Sequence, residues 1–253
     1  MVRAPQEPSA ASTEAMRAFW DRRARENPMW FIHSNLDYNS PDVAEFWRSG
    51  EAALDATLAP FGLSLQPADR VLEIGCGIGR ITRALAGRAG EVVGLDVSAE
   101  MLELGRKAME DVGNVELELG SGRDLGQFAD AGFDVAYSFV VFQHIPDPAV
   151  TCAYITEIGR VLRPGGWALF QVSEAPEVHL RDTYPSVRGV RRRLAELAGR
   201  APRGTMQPQW LGSAVDRDSL LLALHAGHLE LERTTGDGGQ FCMVLARSTR
   251  PRA

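Results

Sequence analysis

Apolar and polar positions change period several times along this chain, and each change marks an element. Short apolar runs at 70–74, 91–96, 115–119, 133–138 and 166–173 have the length and boundaries of strands. Between them lie stretches of helical length and spacing at 79–88, 98–110 and 148–162, with a shorter helix expected near 123–129. Ser98 stands where the second of these helices begins, and serine is a good N-cap. Strand–helix alternation of this kind predicts an α/β fold, a parallel sheet with helices on both faces.

The flanks read differently. Residues 1–12 are rich in Pro, Ala and Ser and are expected to be disordered. A helix is expected from Thr13 to about Glu26, with Phe19 and Trp20 on one face, followed by an irregular aromatic stretch from Met29-Trp30-Phe31 to Tyr38. A further helix runs from about Pro41 to Pro60, where Val43, Phe46, Trp47, Ala53, Leu54 and Leu58 recur at near-helical spacing. Together, residues 13–65 read as an N-terminal helical cover on a single domain spanning 13–253. After Ser173 the pattern breaks. Residues 174–215 hold several prolines, an arginine-rich stretch and an isolated Trp210. An insertion this long usually serves function, so a cap beside the site is the expectation. A helix from Asp216 to about Ala226 and two strands, 228–235 and 239–247, close the chain, the strands joined by the turn signal Gly236-Asp237-Gly238-Gly239.

The chemistry concentrates at Val71-Leu72-Glu73-Ile74-Gly75-Cys76-Gly77-Ile78-Gly79-Arg80. A strand runs into three alternate glycines and then a helix, which lets a ligand approach the backbone closely. A dinucleotide fingerprint reads G-x-G-x-x-G. Counted from Gly75, the third glycine here comes one residue early and Arg80 occupies its place. Glu73 would repel a pyrophosphate but suits a cationic cofactor, which disfavours a nicotinamide dehydrogenase.

At this point the chain resembles the class I S-adenosylmethionine (SAM)-dependent methyltransferases. Glu91-Val92-Val93-Gly94-Leu95-Asp96 is similar to their second strand, Phe133 to Ser138 to their fourth, Gln143-His144-Ile145-Pro146-Asp147-Pro148 to the loop after it, and Arg160 to Gly166 to their helix-to-fifth-strand turn. The resemblance covers residues 66–172. It implies a Rossmann-like, seven-stranded, mostly parallel sheet that ends in a hairpin with one antiparallel strand. It also implies SAM as cofactor and methyl transfer to an acceptor. Glu73, Gly75, Cys76, Gly77 and Gly79 would hold the methionine and ribose parts, and Asp96 the ribose hydroxyls. Asp96 lies 21 residues after Gly75, close to the spacing of about 20 for a ribose-binding carboxylate. Val97 and Met101 would flank the adenine, and the backbone of Gly122 and Arg123 would cover it, although Ser121 stands where the family has an acidic residue. Phe139 and Gln143 complete the cofactor set. His144 is the candidate catalytic base, its alternative being a ring that only packs beside the methionine moiety. Trp20, Trp30, Phe31 and Tyr38 either face the sulfonium and acceptor or pack on the sheet edge. His179 is the one histidine of the insertion with a conceivable role. No metal is implied.

Bulk properties adjust this only slightly. The 253 residues carry a net charge of −6, which argues against nucleic-acid binding. No apolar run has the length of a membrane span, and the N-terminus lacks the apolar core of a signal peptide, so a cytoplasmic enzyme is expected. Cys76, Cys152 and Cys242 are too few and too scattered for a disulfide framework or a zinc site. Lys107 is the sole lysine among 27 basic residues, which nearly excludes a catalytic lysine. The reading is a SAM-dependent methyltransferase acting on a small molecule, by O- or N-methylation, with natural-product or sugar biosynthesis as the expected setting. Its alternatives are a protein or RNA methyltransferase, or a SAM-binding protein that does not methylate.

Overall fold

The computed structural model describes residues 10–180, 196 and 201–251. Seven strands form one sheet: β1 (Arg70–Ile74), β2 (Glu91–Asp96), β3 (Val115–Leu119), β4 (Phe133–Ser138), β5 (Leu162–Val172), β6 (Leu229–Thr235) and β7 (Cys242–Ser248). Their order is β3-β2-β1-β4-β5-β7-β6. Strands β1 to β5 pair in parallel, while β7 runs antiparallel to both β5 and β6. The expected hairpin and its single reversed strand are therefore present. Strand order reverses direction at β1, between β2 and β4, and open α/β sheets bind ligands at the carboxyl ends beside such a switch point.

Period-two alternation sends neighbouring side chains to opposite faces. Leu72, Ile74, Val93 and Phe170 face α6 (Pro148–Val161) and α8 (Arg217–Ala226), where Ile155, Ile158 and Leu220 are fully buried. Val71, Val92, Tyr137 and Leu169 face α3 (Val43–Leu58) and α4 (Thr82–Ala86), against Leu54, Leu58 and Leu85. Side-chain caps start the helices: Asp42 accepts from the Glu45 amide, Ser98 from Met101 at the head of α5 (Ala99–Ala108), and Asp216 from Ser219. Helix α6 lies so close to the turn after α8 that a Cβ on Gly159 would fall 1.8 Å from the Gly227 carbonyl oxygen. Gly159→Ala is therefore expected to destabilise the protein by about 1–3 kcal/mol, seen as a lower melting temperature in thermal denaturation.

Several expected elements differ. Helix α1 (Ala10–Glu26) begins inside the segment expected to be disordered, and residues 1–9 lie outside the described residues. The aromatic stretch contains a short helix, α2 (Pro28–Ile32), because Pro28 suits a first turn and the Asn27 side chain accepts from the Trp30 amide. The helix expected at 79–88 shrinks to Thr82–Ala86, since Gly79 at φ +94° leaves the helical region. No helix forms at 123–129. There the Arg160 guanidinium donates to the carbonyls of Leu125 and Phe128, at 2.9 and 2.8 Å, taking acceptors that a helix would use. Strand β5 starts four residues before the expected 166, at Leu162, which pairs with Phe133. Of the 174–215 insertion, the described parts are 174–180 with a 3-10 turn at Pro176–His179, residue 196 and the 201–215 segment with α7 (Pro208–Leu211). The arginine run at Arg188, Arg191, Arg192 and Arg193 lies outside the described residues.

Candidate active site

Parallel pairing of β1 with β2 puts Ile74 opposite Leu95, so Gly75 and Asp96 emerge side by side at the carboxyl edge. The Gly75 and Cys76 amides both donate to the Leu95 carbonyl, which folds the glycine loop back over β2. Gly75 and Gly77 adopt φ of +78° and +57°, a region costly for residues with a Cβ. A Cβ on Gly75 would lie 2.3 Å from Val141, and one on Gly77 would lie 2.7 Å from Ile32. The loop therefore presents bare backbone to the cavity above it.

That cavity is lined by most of the residues expected to bind the cofactor: Glu73, Gly75, Cys76, Gly77, Asp96, Val97, Met101, Gly122 and Phe139, together with His144. Three expected residues are placed elsewhere. Gly79 does not line the cavity, and a Cβ there would fall 2.5 Å from Met109. Arg123 is exposed and does not line the cavity. Gln143 is buried just behind the wall, its amide oxygen accepting from Gln171 and its nitrogen 3.3 Å from His144 Nε2. Ser121 spends its hydroxyl on Asp124, and neither residue lines the cavity.

Two carboxylates give the cavity its character. The Asp96 side chain accepts from the Gly77 amide at 2.8 Å and from the Ser98 amide at 2.9 Å, which fixes its plane. Four lone-pair sites on a carboxylate leave capacity for further donors. Burial pushes its pKa up to about 6 despite these bonds. Glu73 is buried at the end of β1 and accepts from the Thr82 hydroxyl at 2.5 Å, and burial pushes its pKa up to about 7. Two buried carboxylates held beside a glycine loop with room for close approach fit a ligand that brings cationic charge and hydroxyl donors, as SAM does.

Aromatic rings close the other side. Trp20 of α1 and Phe31 of α2 line the cavity. The His144 ring lies 5.7 Å from Trp20 and 5.1 Å from Trp210 of α7. Trp210 in turn stacks on Trp30 at 5.7 Å and meets Phe31 edge-on at 5.4 Å. Tyr38 packs against Trp30 at 5.6 Å but does not line the cavity. The Trp210 carbonyl can only accept, and His144 Nδ1 lies 2.6 Å from it, so Nδ1 carries the proton and Nε2 the lone pair. Burial holds the His144 pKa down near 4, keeping the ring neutral. His179 is occupied by Ser173 and the Leu211 carbonyl, tying the insertion to the end of β5.

Some lining residues escape motif reasoning. Val140 sits at φ +59°, an outlier for a β-branched residue, with its amide donating to Gln171. Met16 and Tyr154 reach the cavity only through packing of α1 and α6. Arg80 was visible as the residue in place of a third glycine, though its burial against the cavity was not.

A family described as methyltransferase domain matches residues 72–170. The ubiquinone biosynthesis O-methyltransferase of Thiobacillus denitrificans is 34% identical over 102 residues, which cover 40% of this chain and 43% of that protein. The demethylmenaquinone methyltransferase of Staphylococcus carnosus is 32% identical over 119 residues, 46% and 48% of the two chains. The chain thus spans less than half the length of these curated relatives. Among solved structures, a SAM-dependent methyltransferase of Methanosarcina mazei is similar with a TM-score of 0.53 at 22% identity, covering 76% of this chain and 98% of that one. Phosphoethanolamine N-methyltransferase 1 of Haemonchus contortus, in complex with phosphoethanolamine and S-adenosylhomocysteine, reaches 0.63 at 16% identity, covering 95% of this chain and 50% of that one. These structural likenesses establish a shared fold. The 72–170 segment thus matches a methyltransferase-domain family, in keeping with the family expected from the glycine loop.

Proposed function

We propose that the protein transfers a methyl group from SAM to a small, largely apolar acceptor that carries a hydroxyl or amine. The observation that carries this reading is the pairing, in one cavity, of the Glu73 and Asp96 carboxylates with the aromatic wall of Trp20 and Phe31. SAM, when bound, supplies a methyl carbon on a sulfonium leaving group, so the chain's task is mainly alignment and exclusion of water. Alignment alone contributes about 7–11 kcal/mol. Asp96 and Glu73 bind the cofactor through ribose hydroxyls and cationic charge. The aromatic faces favour a nearby cation by about 0.5–2 kcal/mol. The neutral Nε2 of His144, whose lone pair faces the Gln143 side-chain nitrogen at 3.3 Å, accepts a hydrogen bond from the acceptor when the acceptor displaces that contact. The quinone-pathway names of the relatives favour a flat hydroxylated ring, and the net charge of −6 favours a small molecule over nucleic acid. No helix of the described residues is long and apolar enough to cross a membrane.

The test is incubation of the full chain with SAM and a panel of catechols, quinols, phenols and amines, read by mass spectrometry. Formation of S-adenosylhomocysteine together with a methylated acceptor is expected. SAM binding with no product across the panel would leave a SAM-binding protein instead.

The two raised carboxylate pKa values set a pH dependence. Glu73 keeps its proton to about pH 7 in the fold but only to 4.5 when unperturbed. Its burial therefore favours folding below pH 4.5, and that contribution is lost as pH rises through 7. A bound cation reverses the preference by favouring the ionised carboxylate. SAM affinity is expected to rise about tenfold between about pH 5.5 and 7.5, measured by calorimetry, and Glu73→Gln should flatten the rise.

A further inference from the structure

Gln171 is a polar side chain where the sequence of β5 calls for an apolar one. Ala168, Leu169, Phe170 and Val172 around it are fully buried, and so is Gln171. An amide in such a place is costly unless its oxygen and nitrogen find partners. Here both do. Oε1 accepts from the Val140 amide at 3.2 Å, and Nε2 donates to the carbonyls of Gln240 at 2.5 Å and Val172 at 3.0 Å. A backbone N–H can only donate and a carbonyl can only accept, so these partners fix which end of the amide is nitrogen. Nε2 also reaches Gln143 Oε1 at 3.3 Å, which turns the Gln143 nitrogen toward His144 Nε2, again at 3.3 Å. Orientation therefore passes from β5 to the ring. It requires a lone pair on Nε2, the same tautomer that the Trp210 carbonyl requires from the other side.

We propose that Gln171 is a positioning residue for methyl transfer, holding the 139–144 turn and, through Gln143, the aim of His144. The inference rests on the methyltransferase reading above, with His144 facing the acceptor, and adds the residue that sets its geometry. Gln171 grips the turn near both ends, by the Val140 amide and by the Gln143 side chain. Phe139, Val140, Val141, Phe142 and His144 of this turn all line the cavity, so a shift of the turn would move one wall of the site. Val140 stands at φ +59°, which a β-branched residue adopts only when its surroundings impose it, and the bond from its amide to Gln171 is one such constraint. The grip is itself anchored, because Gln240 belongs to the turn between β6 and β7. An apolar residue at 171 would fill the same space, yet it would deprive the Val140 N–H and the Gln240 carbonyl of this partner.

The experiment measures turnover and SAM affinity of the full chain, with whichever catechol, quinol, phenol or amine it methylates fastest. Gln171→Leu is placed in the wild-type and His144→Ala backgrounds. In the first, kcat should fall about 10- to 100-fold, as for a misplacement of about 1 Å, with SAM affinity within about threefold. In the second, the same substitution should change kcat by less than about threefold, because the residue it positions is gone. An equal loss in both backgrounds would overturn the assignment, since Gln171 would then act on packing and not through His144. Gln143→Met keeps the backbone bonds of Gln171 and cuts the chain nearer the ring, so it tests the same link even if Gln171→Leu does not fold. It should reproduce the loss, and unchanged turnover there would also overturn the assignment. A wild-type protein that binds SAM and methylates nothing on the panel would overturn the methyltransferase reading and this inference together. Normal wild-type turnover that Gln171→Leu leaves untouched would overturn this inference alone.

Discussion

Gly77→Val is expected to weaken SAM binding by at least about 100-fold. Two effects add at this position. The backbone at φ +57° is left-handed, which costs a residue with a Cβ about 1–2 kcal/mol. The new side chain would also point toward Ile32, 2.7 Å from the added Cβ, and into the space the ligand must enter. Gly62→Val separates the two effects. Gly62 has φ +66° with nothing within 4 Å of an added Cβ, so it carries the backbone cost without the lost space. Calorimetry should show near wild-type affinity for Gly62→Val and almost none for Gly77→Val. If both variants bind alike, the loop at Gly77 does not hold the cofactor.

His144→Ala should lower turnover by about 10²–10⁴ while SAM affinity changes by less than about threefold. The ring is fixed by its Nδ1–H bond to the Trp210 carbonyl, and it lies between Trp20 and Trp210. Burial holds it neutral down to about pH 4, against 6.5 for an ordinary histidine. The Nε2 lone pair is consequently present across the neutral range. The wild-type kcat profile should show no inflection near pH 6.5, the signature of an unburied histidine base. Its effect on stability has the opposite sign to that of Glu73, being present above pH 6.5 and lost as pH falls toward 4. An Ala variant of full activity would remove His144 from the chemistry. Parallel loss of SAM affinity and turnover would instead assign the ring to packing.

Much of the site was legible because it is local. Glu73, Gly75, Gly77 and Asp96 sit at fixed distances from the ends of two strands, and parallel pairing of those strands brings them together. Gly79 shows the limit of that logic. It belongs to the same motif, yet it does not line the cavity, and no spacing rule distinguishes it from its neighbours. The absent helix at 123–129 has a similar cause, since the competing donor, Arg160, is more than 30 residues away.

The sequence by itself determined the α/β alternation, the antiparallel closing hairpin and the carboxylate-bearing loop, because period, turn residues and strand-end motifs act over a few residues. Tertiary structure alone decided what surrounds them. Trp210 meets His144 across 66 positions, Arg23 of α1 reaches the Arg203 carbonyl across 180, and Arg80 loses its solvent beneath Ser49 of α3. Burial sets the charge on Glu73, Asp96 and His144, and burial is a property of the packed chain rather than of any segment within it.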